Sequence, residues 1–412
     1  MSKSKAVIAC VMALALVATL CLGCAEEGEE EEGKVTITIG HISDMTGPAS
    51  TALVPINHAM DDIARYYNEE ELIPGVELRV VHYDARYDPS RDIPGWDWVK
   101  GKGAKVAVTA LPTTAQTLAR LTSTEKMPLW AFTPSDPLLA SPEWVFLANL
   151  PTSALVMTLL KWISENDPDY PTDRPAKIGS AGWEEPYALD CKNAVMDYAQ
   201  DHPDDFEWVG GYIAPMGVMT WSGEVEALKD CDYLWPPTTG TGITTFMQEF
   251  RNRGYTAKFI GTDSNAAYRG LIVDTVGYEA VDGMLLSLPT RWWNETGEVI
   301  NLAKQLLNRY HSAEAADIIY AGIGYCGGFH QGYAFYQILE EAINQVGAEN
   351  FDGQAFYDTA IDFTMTTWEG YETWGFSQTK RYTWDYVGIY EYSAAEEDIV
   401  RKVTEWLPAV LE

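Results

Sequence analysis

Basic residues are scarce in this sequence. Its 412 residues include 28 lysines and arginines against 60 aspartates and glutamates, which leaves a net charge of −32 at pH 7. Such a chain repels phosphate backbones and anionic lipid surfaces at long range. The composition therefore argues against a nucleic-acid partner.

Cysteine and histidine are also rare, with six of each. Beyond the N-terminal region only Cys191, Cys231 and Cys326 remain; their spacing matches no metal motif and favours small buried side chains. A disulfide between Cys191 and Cys231 is an alternative that the sequence does not decide. The histidines show no H-E-x-x-H spacing, and neither a G-x-S-x-G elbow nor a P-loop occurs. The sequence gives no positive sign of an enzyme, and we predict no metal and no cofactor.

Apolar and aromatic residues, in contrast, are abundant. Hydrophobic residues make up 47% of the chain and aromatic residues 12%, which is too much for a disordered protein. A chain of 412 residues also exceeds what one hydrophobic core organises. The sequence therefore predicts a folded protein with more than one domain.

The N-terminus has the pattern of an export signal. Lys3 and Lys5 precede an uninterrupted apolar or small run over residues 6–22, which Gly23 and Cys24 follow. The run is long for a signal peptide and borderline for a membrane-spanning helix, so a retained anchor stays an alternative to the favoured signal peptide. Either interpretation places the rest of the chain outside the cytoplasm.

Cys24 also ends a C-x-x-C pattern that begins at Cys21, and in a soluble setting this pattern can be a redox or zinc site. Within an apolar export run it resembles a bacterial lipobox instead, although Cys21 stands where a Leu is usual. The lipobox implies removal of residues 1–23 as a lipoprotein signal peptide, and acylation of Cys24. Residues 24–33 follow as an acidic tether, because six of the seven residues 26–32 are Glu and repel one another.

From residue 34 onward, strand-like apolar runs alternate with helical periodicity, which predicts parallel sheets covered by helices on both faces. The predicted strands are residues 34–42, 76–84, 105–111, 127–132, 144–148, 176–181, 232–235 and 258–261. The predicted helices are residues 54–70, 114–125, 153–165, 187–200, 242–253, 266–276, 296–311 and 318–347. These strands are too many for one comfortable sheet, so we predict two α/β lobes. Residues 34–150 plus 289–365 form lobe 1, and residues 151–288 plus 366–412 form lobe 2.

Ligands of such sheets bind beyond the carboxyl ends of the strands, and several loops there are rich in hydroxyl groups. These loops are residues 113–114, 133–136, 238–241 and 262–264. Each loop alone is typical of a helix N-cap, but their recurrence in both lobes favours a polar cleft. Aromatic residues at strand exits are either core or pocket walls, and their position favours walls: Trp130, Phe132, Trp183, Tyr187 and Trp235.

A G-x-G-x-x-G pattern occurs at Gly322, Gly324 and Gly327. In a dinucleotide enzyme this pattern belongs to the first strand-to-helix turn, whereas this copy lies in the last quarter of the chain. We favour close packing of two helices around these small residues.

The order and spacing of several short segments resemble the type I periplasmic solute-binding proteins of ABC transporters, in the branched-chain amino-acid (leucine-binding) class. The segments are residues 39–48, 67–69, 73–76, 83–84, 87–89, 126–128, 133–135, 332–333 and 341–343. The resemblance implies two doubly wound parallel-sheet lobes joined by a hinge. It also implies a lipid-anchored extracytoplasmic protein, not an enzyme, that captures an amino acid or a related carboxylate or aromatic compound and delivers it to an ABC permease.

The same resemblance implies the site residues. A solute carboxylate would bind hydroxyl and N–H groups at Thr113, Thr114 and Ser135. The second lobe would supply aromatic walls and an acidic group for an ammonium: Trp183, Tyr187, Trp235 and Asp263. Asp136 departs from the small or hydroxyl residue usual beside the carboxylate and would oppose an anion there, so a larger aromatic or amphipathic solute is a further expectation.

Two other functions stay open at this point. One is a ligand-sensing module that reports to a signalling receptor without transport. The other is an extracellular hydrolase that uses carboxylates in the cleft, which need only be adjacent in space.

Overall fold

The structure, a computed structural model, describes residues 33–366 and 373–411. The predicted signal peptide, Cys24 and all but the last residue of the acidic tether lie outside the described residues. In the part of the chain that is described, no helix is long and apolar enough to cross a membrane.

Strands and helices alternate along the chain, as predicted. The strands are β1 Val35–Ser43, β2 Val76–Asp84, β3 Ala104–Thr109, β4 Leu129–Ala131, β5 Val145–Leu147, β6 Ala176–Trp183, β7 Phe206–Ala214, β8 Tyr233–Trp235, β9 Lys258–Thr262, β10 Leu285–Leu288, β11 Thr364–Thr366, β12 Thr373–Gly375, β13 Tyr386–Ser393, β14 Asp398–Arg401 and β15 Leu407–Pro408. The helices are α1 Ser50–Glu69, α2 Asp92–Gly101, α3 Pro112–Glu125, α4 Pro137–Ala140, α5 Thr152–Asn166, α6 Pro186–Asp201, α7 Ser222–Ala227, α8 Gly240–Asn252, α9 Asp263–Ala266, α10 Arg269–Val276, α11 Tyr278–Val281, α12 Glu298–Tyr310, α13 Ala315–Ala321, α14 Gly324–Val346 and α15 Gly353–Asp362. Short 3-10 turns cover Pro89–Arg91 and Ala348–Asn350.

The first sheet contains five parallel strands in the order β2-β1-β3-β4-β5. Strands β3, β4 and β5 are buried along almost their whole length, which is why their sequences are mainly apolar without clear alternation. Helices α1 and α14 pack against each other beside this sheet, and α2 packs against β1 and β3.

The second sheet has the order β14-β13-β10-β9-β8-β6-β7. The five strands from β10 to β7 are parallel, whereas β13 runs antiparallel to β10 and β14 runs antiparallel to β13. Two parallel-sheet lobes were predicted, and the antiparallel strands at one edge are an addition made by the C-terminal tail. Strand β13 starts at the carboxyl end of β10, where the chain arrives from the first sheet, and so runs antiparallel to β10; a short hairpin then makes β14 antiparallel to β13.

Both sheets place their first two strands in the same way, since β1 lies between β2 and β3 and β6 lies between β7 and β8. In each sheet, the helices that follow neighbouring strands therefore cover opposite faces of the sheet. A crevice opens between the carboxyl ends of β1 and β3 in the first sheet, and between those of β6 and β8 in the second. Open α/β sheets bind ligands at such switch points. The topology thus predicts where a site should lie.

One predicted helix, over residues 318–347, is wrong as a single element, because the chain breaks at Gly322 between α13 and α14. Gly322 has φ +146°, a backbone conformation that other residues rarely adopt. The prediction that the G-x-G-x-x-G residues let two helices approach is confirmed at Gly324. A Cβ on Gly324 would lie 2.6 Å from the carbonyl oxygen of Ala52 in α1.

The chain still packs against the first sheet after residue 366, the predicted end of lobe 1. The ring of Phe376 packs against Trp130 and Phe146, and Leu147 at the end of β5 pairs with Tyr382. The chain then enters the second sheet at β13. The chain thus crosses between the two sheets three times, at residues 148–151, after β10 near residue 289 and at residues 383–385. The first and third crossing segments touch where Thr383 N donates to the carbonyl oxygen of Asn149 at 3.3 Å.

Candidate functional site

A cavity lies between the carboxyl ends of the two sheets. The loops after β1, β3 and β4 line one side of it, the loops after β6, β8 and β9 line the other, and the first turns of α14 line a third. The empty space enclosed by these elements, including its opening to solvent, is about 710 Å³. This is the position that the switch points of both sheets predict.

The side of the cavity that belongs to the first sheet is mainly apolar. Leu53 and Ile56 reach it from the first turns of α1, and Leu111, Pro112 and Phe132 reach it from the loops after β3 and β4. Pro112 is the first residue of α3, a position that suits proline because its missing N–H has no partner there in any helix. This wall offers surface for an apolar part of a ligand.

The opposite side, which belongs to the second sheet, is polar and acidic. Its residues follow β6, β8 and β9: Glu185, Tyr187, Thr238, Thr239, Asp263 and Ser264. Tyr187 forms a hydrogen bond of 2.6 Å with the hydroxyl of Thr262 and so presents its ring to the cavity while its polar end is engaged.

Glu185 caps the N-terminus of α6. Its carboxylate accepts hydrogen bonds from Tyr187 N at 2.9 Å, Ala188 N at 2.8 Å, Thr238 Oγ1 at 2.9 Å and Tyr87 Oη at 3.1 Å. Burial raises the pKa of Glu185, and these four donors oppose that shift. The carboxylate is therefore occupied by the protein itself, and through Tyr87 it joins the two sides of the cavity.

Asp263 opens the short helix α9, which Thr262 and Asn265 hold in a capping box. Its carboxylate accepts from Asn149 Nδ2 at 2.8 Å and from Ser264 N at 3.0 Å, and burial raises its pKa. Among the described residues it forms no ion pair. Asp263 is only partly exposed, and its desolvated carboxylate would stabilise a positively charged ligand group beside it.

The loops of the two sheets touch each other around the cavity. Tyr87 meets Glu185, Asn149 meets Asp263, and the backbone of Gly240 lies against Pro48. The arrangement in the structure is therefore a closed one, in which both sides would contact a bound molecule together.

Of the eight residues predicted for the site, Tyr187 and Asp263 line the cavity. Thr113, Thr114 and Ser135 do not line it. The hydroxyl of Thr114 donates to Asp92 Oδ1 at 2.7 Å, and the hydroxyl of Ser135 accepts from Gln116 Nε2 at 2.6 Å. Thr114 thus joins α3 to the start of α2, and Ser135 joins the loop after β4 to α3.

Asp136 also lies outside the lining. Its carboxylate accepts from Thr152 N at 2.7 Å and Ser153 N at 2.9 Å, so its charge faces the N-terminus of α5. Its own N–H donates to Asp190 across the interface between the two sheets at 3.0 Å. Burial, followed by the charge of Asp136, raises the pKa of Asp190 to about 7.

Trp183 and Trp235 are core residues, with 2% and 1% of their surfaces exposed, and neither lines the cavity. Trp183 Nε1 donates to the carbonyl oxygen of Val218 at 2.9 Å, and its ring packs on Gly242. Trp235 Nε1 has no hydrogen-bond partner in the described part of the chain.

Several lining residues were not among the predicted ones, namely Tyr87, Glu185, Tyr268, Thr290 and Gln331. A Glu directly before a Pro at a helix start could have marked Glu185, although Glu is not a common N-cap. Gln331 had no such signal, because it lies within a long apolar helix that the sequence analysis assigned to packing.

No group of three or more His, Cys, Asp or Glu residues is placed to hold a metal ion within the residues that the structure describes. The three described cysteines, Cys191, Cys231 and Cys326, are buried and free. The disulfide left open between Cys191 and Cys231 is thus not formed in this structure, whereas the interpretation as small buried side chains is confirmed.

Similar folds occur in solved structures of transport proteins. A branched-chain amino acid ABC transporter protein from Thermus thermophilus with bound valine is 17% identical, with a TM-score of 0.79 over 92% of this chain and 98% of that one. A solute-binding protein from R. palustris in complex with 4-hydroxybenzoate is 14% identical, with a TM-score of 0.74 over 91% and 97%. A fatty acid ABC transporter substrate-binding protein from Thermomonospora curvata is 14% identical, with a TM-score of 0.77 over 91% and 93%. At these identities the likeness concerns the fold.

In sequence, no curated protein matches the chain. The family described as periplasmic binding protein does match it, over residues 36–391. The matched range contains both sheets except the last edge strands, together with every lining residue of the cavity. The chain therefore belongs to the periplasmic binding protein family, as its resemblance to type I solute-binding proteins predicted, and it has their two-lobed α/β fold.

Proposed function

We propose that this protein is an extracytoplasmic solute-binding lipoprotein that captures a small molecule between its lobes and delivers it to an ABC permease. The observation that carries the proposal is the cavity, which residues from both sheets line together. A molecule that touches both sides stabilises the closed arrangement over an open one, and this difference is a signal that a permease can recognise.

The proposed lobes follow the sheets. Residues 34–150 with 289–382 accompany the first sheet, and residues 151–288 with 383–412 accompany the second. The contacts of Phe376 and Tyr382 with the first sheet support moving the last boundary from residue 366 to residue 383.

The proposed solute is a small amphipathic molecule, such as an amino acid or a related aromatic compound. Its apolar part would lie on Leu53, Ile56 and Phe132, and a cationic nitrogen would lie against Asp263. The neighbours of known structure bind valine, 4-hydroxybenzoate or, by its name, fatty acid, so this fold accepts ligands of that size.

A hydrolase that uses cleft carboxylates is less well supported. Glu185 already accepts four hydrogen bonds from the protein, which leaves Asp263 as the carboxylate with room for a ligand. We therefore infer binding without turnover.

A thermal-shift screen with amino acids, aromatic acids, amines and amides tests the proposal, because a solute that binds only the native state raises the melting temperature. For an amine-bearing solute found in this way, Asp263→Asn should lower affinity about 10- to 100-fold through loss of the charge pair, while the hydrogen bond to Asn149 can persist. Asp201→Asn, on an exposed position at the end of α6, is the control and should change nothing. Equal affinities of the wild type and Asp263→Asn in calorimetry would refute this assignment of the site.

The lipid anchor is a proposal from sequence alone, supported by Gly23 and Cys24 after the apolar run. Mass spectrometry of the protein extracted from its native membranes should find a mature chain that starts at Cys24 and carries acyl groups. A chain that keeps residues 1–23 would instead support the retained anchor.

A further inference from the structure

The cavity lacks positive charge. None of the described residues that line it is Lys, Arg or His, while two of them are carboxylates, the buried Glu185 and the partly buried Asp263. A ligand carboxylate would add a third negative charge in a region of low dielectric, where repulsion between like charges is strong.

In the loops that would hold such a carboxylate, several hydrogen-bond donors already bond to other groups of the protein. Leu111 N donates to Thr109 Oγ1 at 3.1 Å, Phe132 N donates to Thr109 O at 2.9 Å, and Thr133 Oγ1 donates to Ala110 O at 2.8 Å. Pro112, the first residue of α3, has no N–H. The first sheet thus gives the cavity an apolar wall more than an anion site.

Helix α14 supplies a different polar group. Gly324, Gly327, Gly328 and Gln331 line the cavity at the spacing of one helix face, so Gln331 is the first side chain beyond a glycine surface. Only 6% of Gln331 is exposed, it lines the cavity, and no hydrogen bond joins its amide to another described residue. The amide can therefore pair with a ligand that occupies the cavity.

Thr290 supplies a second uncharged polar side chain to the cavity. It is buried, it lines the cavity, and its hydroxyl lies 3.9 Å from where a Cβ of Gly327 would be. Its hydroxyl, like the Gln331 amide, has no hydrogen-bond partner in the described ranges. Both groups are uncharged, and both can donate and accept.

We propose that the solute is an amphipathic amine whose other polar end is uncharged, a carboxamide or a hydroxyl, and that Gln331 with Thr290 recognises this end in place of a carboxylate clamp. The proposal rests on the solute-binding function above and narrows it. In this arrangement Asp263 pairs with the ammonium, Leu53 and Ile56 contact the apolar body, and the Gln331 amide pairs with the neutral end.

Matched pairs of probes test the solute class by calorimetry: leucine against leucinamide, and phenylalanine against phenylalaninamide, at a pH at which each amine is protonated. We expect each amide to bind at least about tenfold more tightly than its acid, because only the acid brings a buried negative charge. An acid that binds as tightly as its amide, or more tightly, overturns the inference and leaves the solute-binding function intact. If neither these probes nor any solute of the thermal-shift screen binds, both proposals are contradicted.

The role of Gln331 is tested with the variant Gln331→Leu, which keeps the size of the side chain. It should lower the affinity for phenylalaninamide about tenfold and leave that for phenethylamine, which lacks the amide, unchanged. Gln345→Leu, on an exposed position of the same helix, is the control and should affect neither probe. An equal loss of affinity for both probes, or no loss for either, would show that Gln331 does not bind the neutral end of the solute. Unfolding midpoints verify that the variants fold.

Discussion

Gly240→Ala should lower solute affinity about a hundredfold or more without unfolding the protein. Gly240 begins α8 in the second sheet's half, with φ +52°, and a Cβ there would lie 2.5 Å from the carbonyl oxygen of Pro48 in the loop after β1. No Cβ tolerates such a contact with backbone, so the two loops must separate. The closed arrangement then loses stability relative to an open one, and affinity falls by the same factor.

A matched control separates the effect of the contact between the loops from the effect of backbone strain. Gly254 also has a positive φ, +82°, but a Cβ there would meet nothing within 4 Å. Both substitutions should cost about 1 kcal/mol of stability from the left-handed backbone, and only Gly240→Ala should also weaken binding. Calorimetry with the solute found by thermal shift measures the affinity, and X-ray scattering measures the opening. Equal affinities of the two variants would mean that the contact of Pro48 with Gly240 does not limit closure.

Trp183→Ala should lower the free energy of unfolding by about 3–5 kcal/mol, the usual loss for a large buried aromatic side chain. The indole is buried at the end of β6, donates to Val218 O and packs on Gly242 at the start of α8. Denaturant unfolding measures the effect. Trp98→Ala, which removes an indole that is 38% exposed, is the comparison and should cost much less.

This prediction decides between two roles for Trp183. If the variant unfolds at the wild-type denaturant concentration but loses its solute, Trp183 is a wall of the site, as the resemblance implied. A large loss of stability supports the structural role that its burial indicates.

Most of the fold was predictable because buried parallel strands and amphipathic helices differ in period and length. The predictions missed β7 and β10. Strand β7 contains Gly210 and Gly211 in mid-strand, which interrupt the pattern, and β10 is only four residues long. The antiparallel edge strands were missed because the tail is rich in aromatic residues without clear alternation.

The site was less predictable than the fold. Hydroxyl groups were correctly expected just beyond the carboxyl ends of the strands, but the sequence does not say which way a short side chain points. Thr114 bonds to α2, Ser135 bonds to α3 and Asp136 bonds to α5, while Asp263 lines the cavity. Gln331 is about seventy positions from Asp263 in sequence and meets the same cavity only because α14 packs on α1.

Asn149 connects the cavity to the chain segments between the lobes. Its side-chain amide donates to Asp263, and its backbone carbonyl oxygen accepts from Thr383, so the first crossing segment is bonded both to the third and to a carboxylate of the cavity. A ligand group that pairs with Asp263 would compete with the side chain of Asn149, whose backbone holds the third crossing segment. A substitution at Asp263 that changes selectivity is therefore expected to alter a contact of the residue at which two crossing segments meet, and so to change how easily the protein opens.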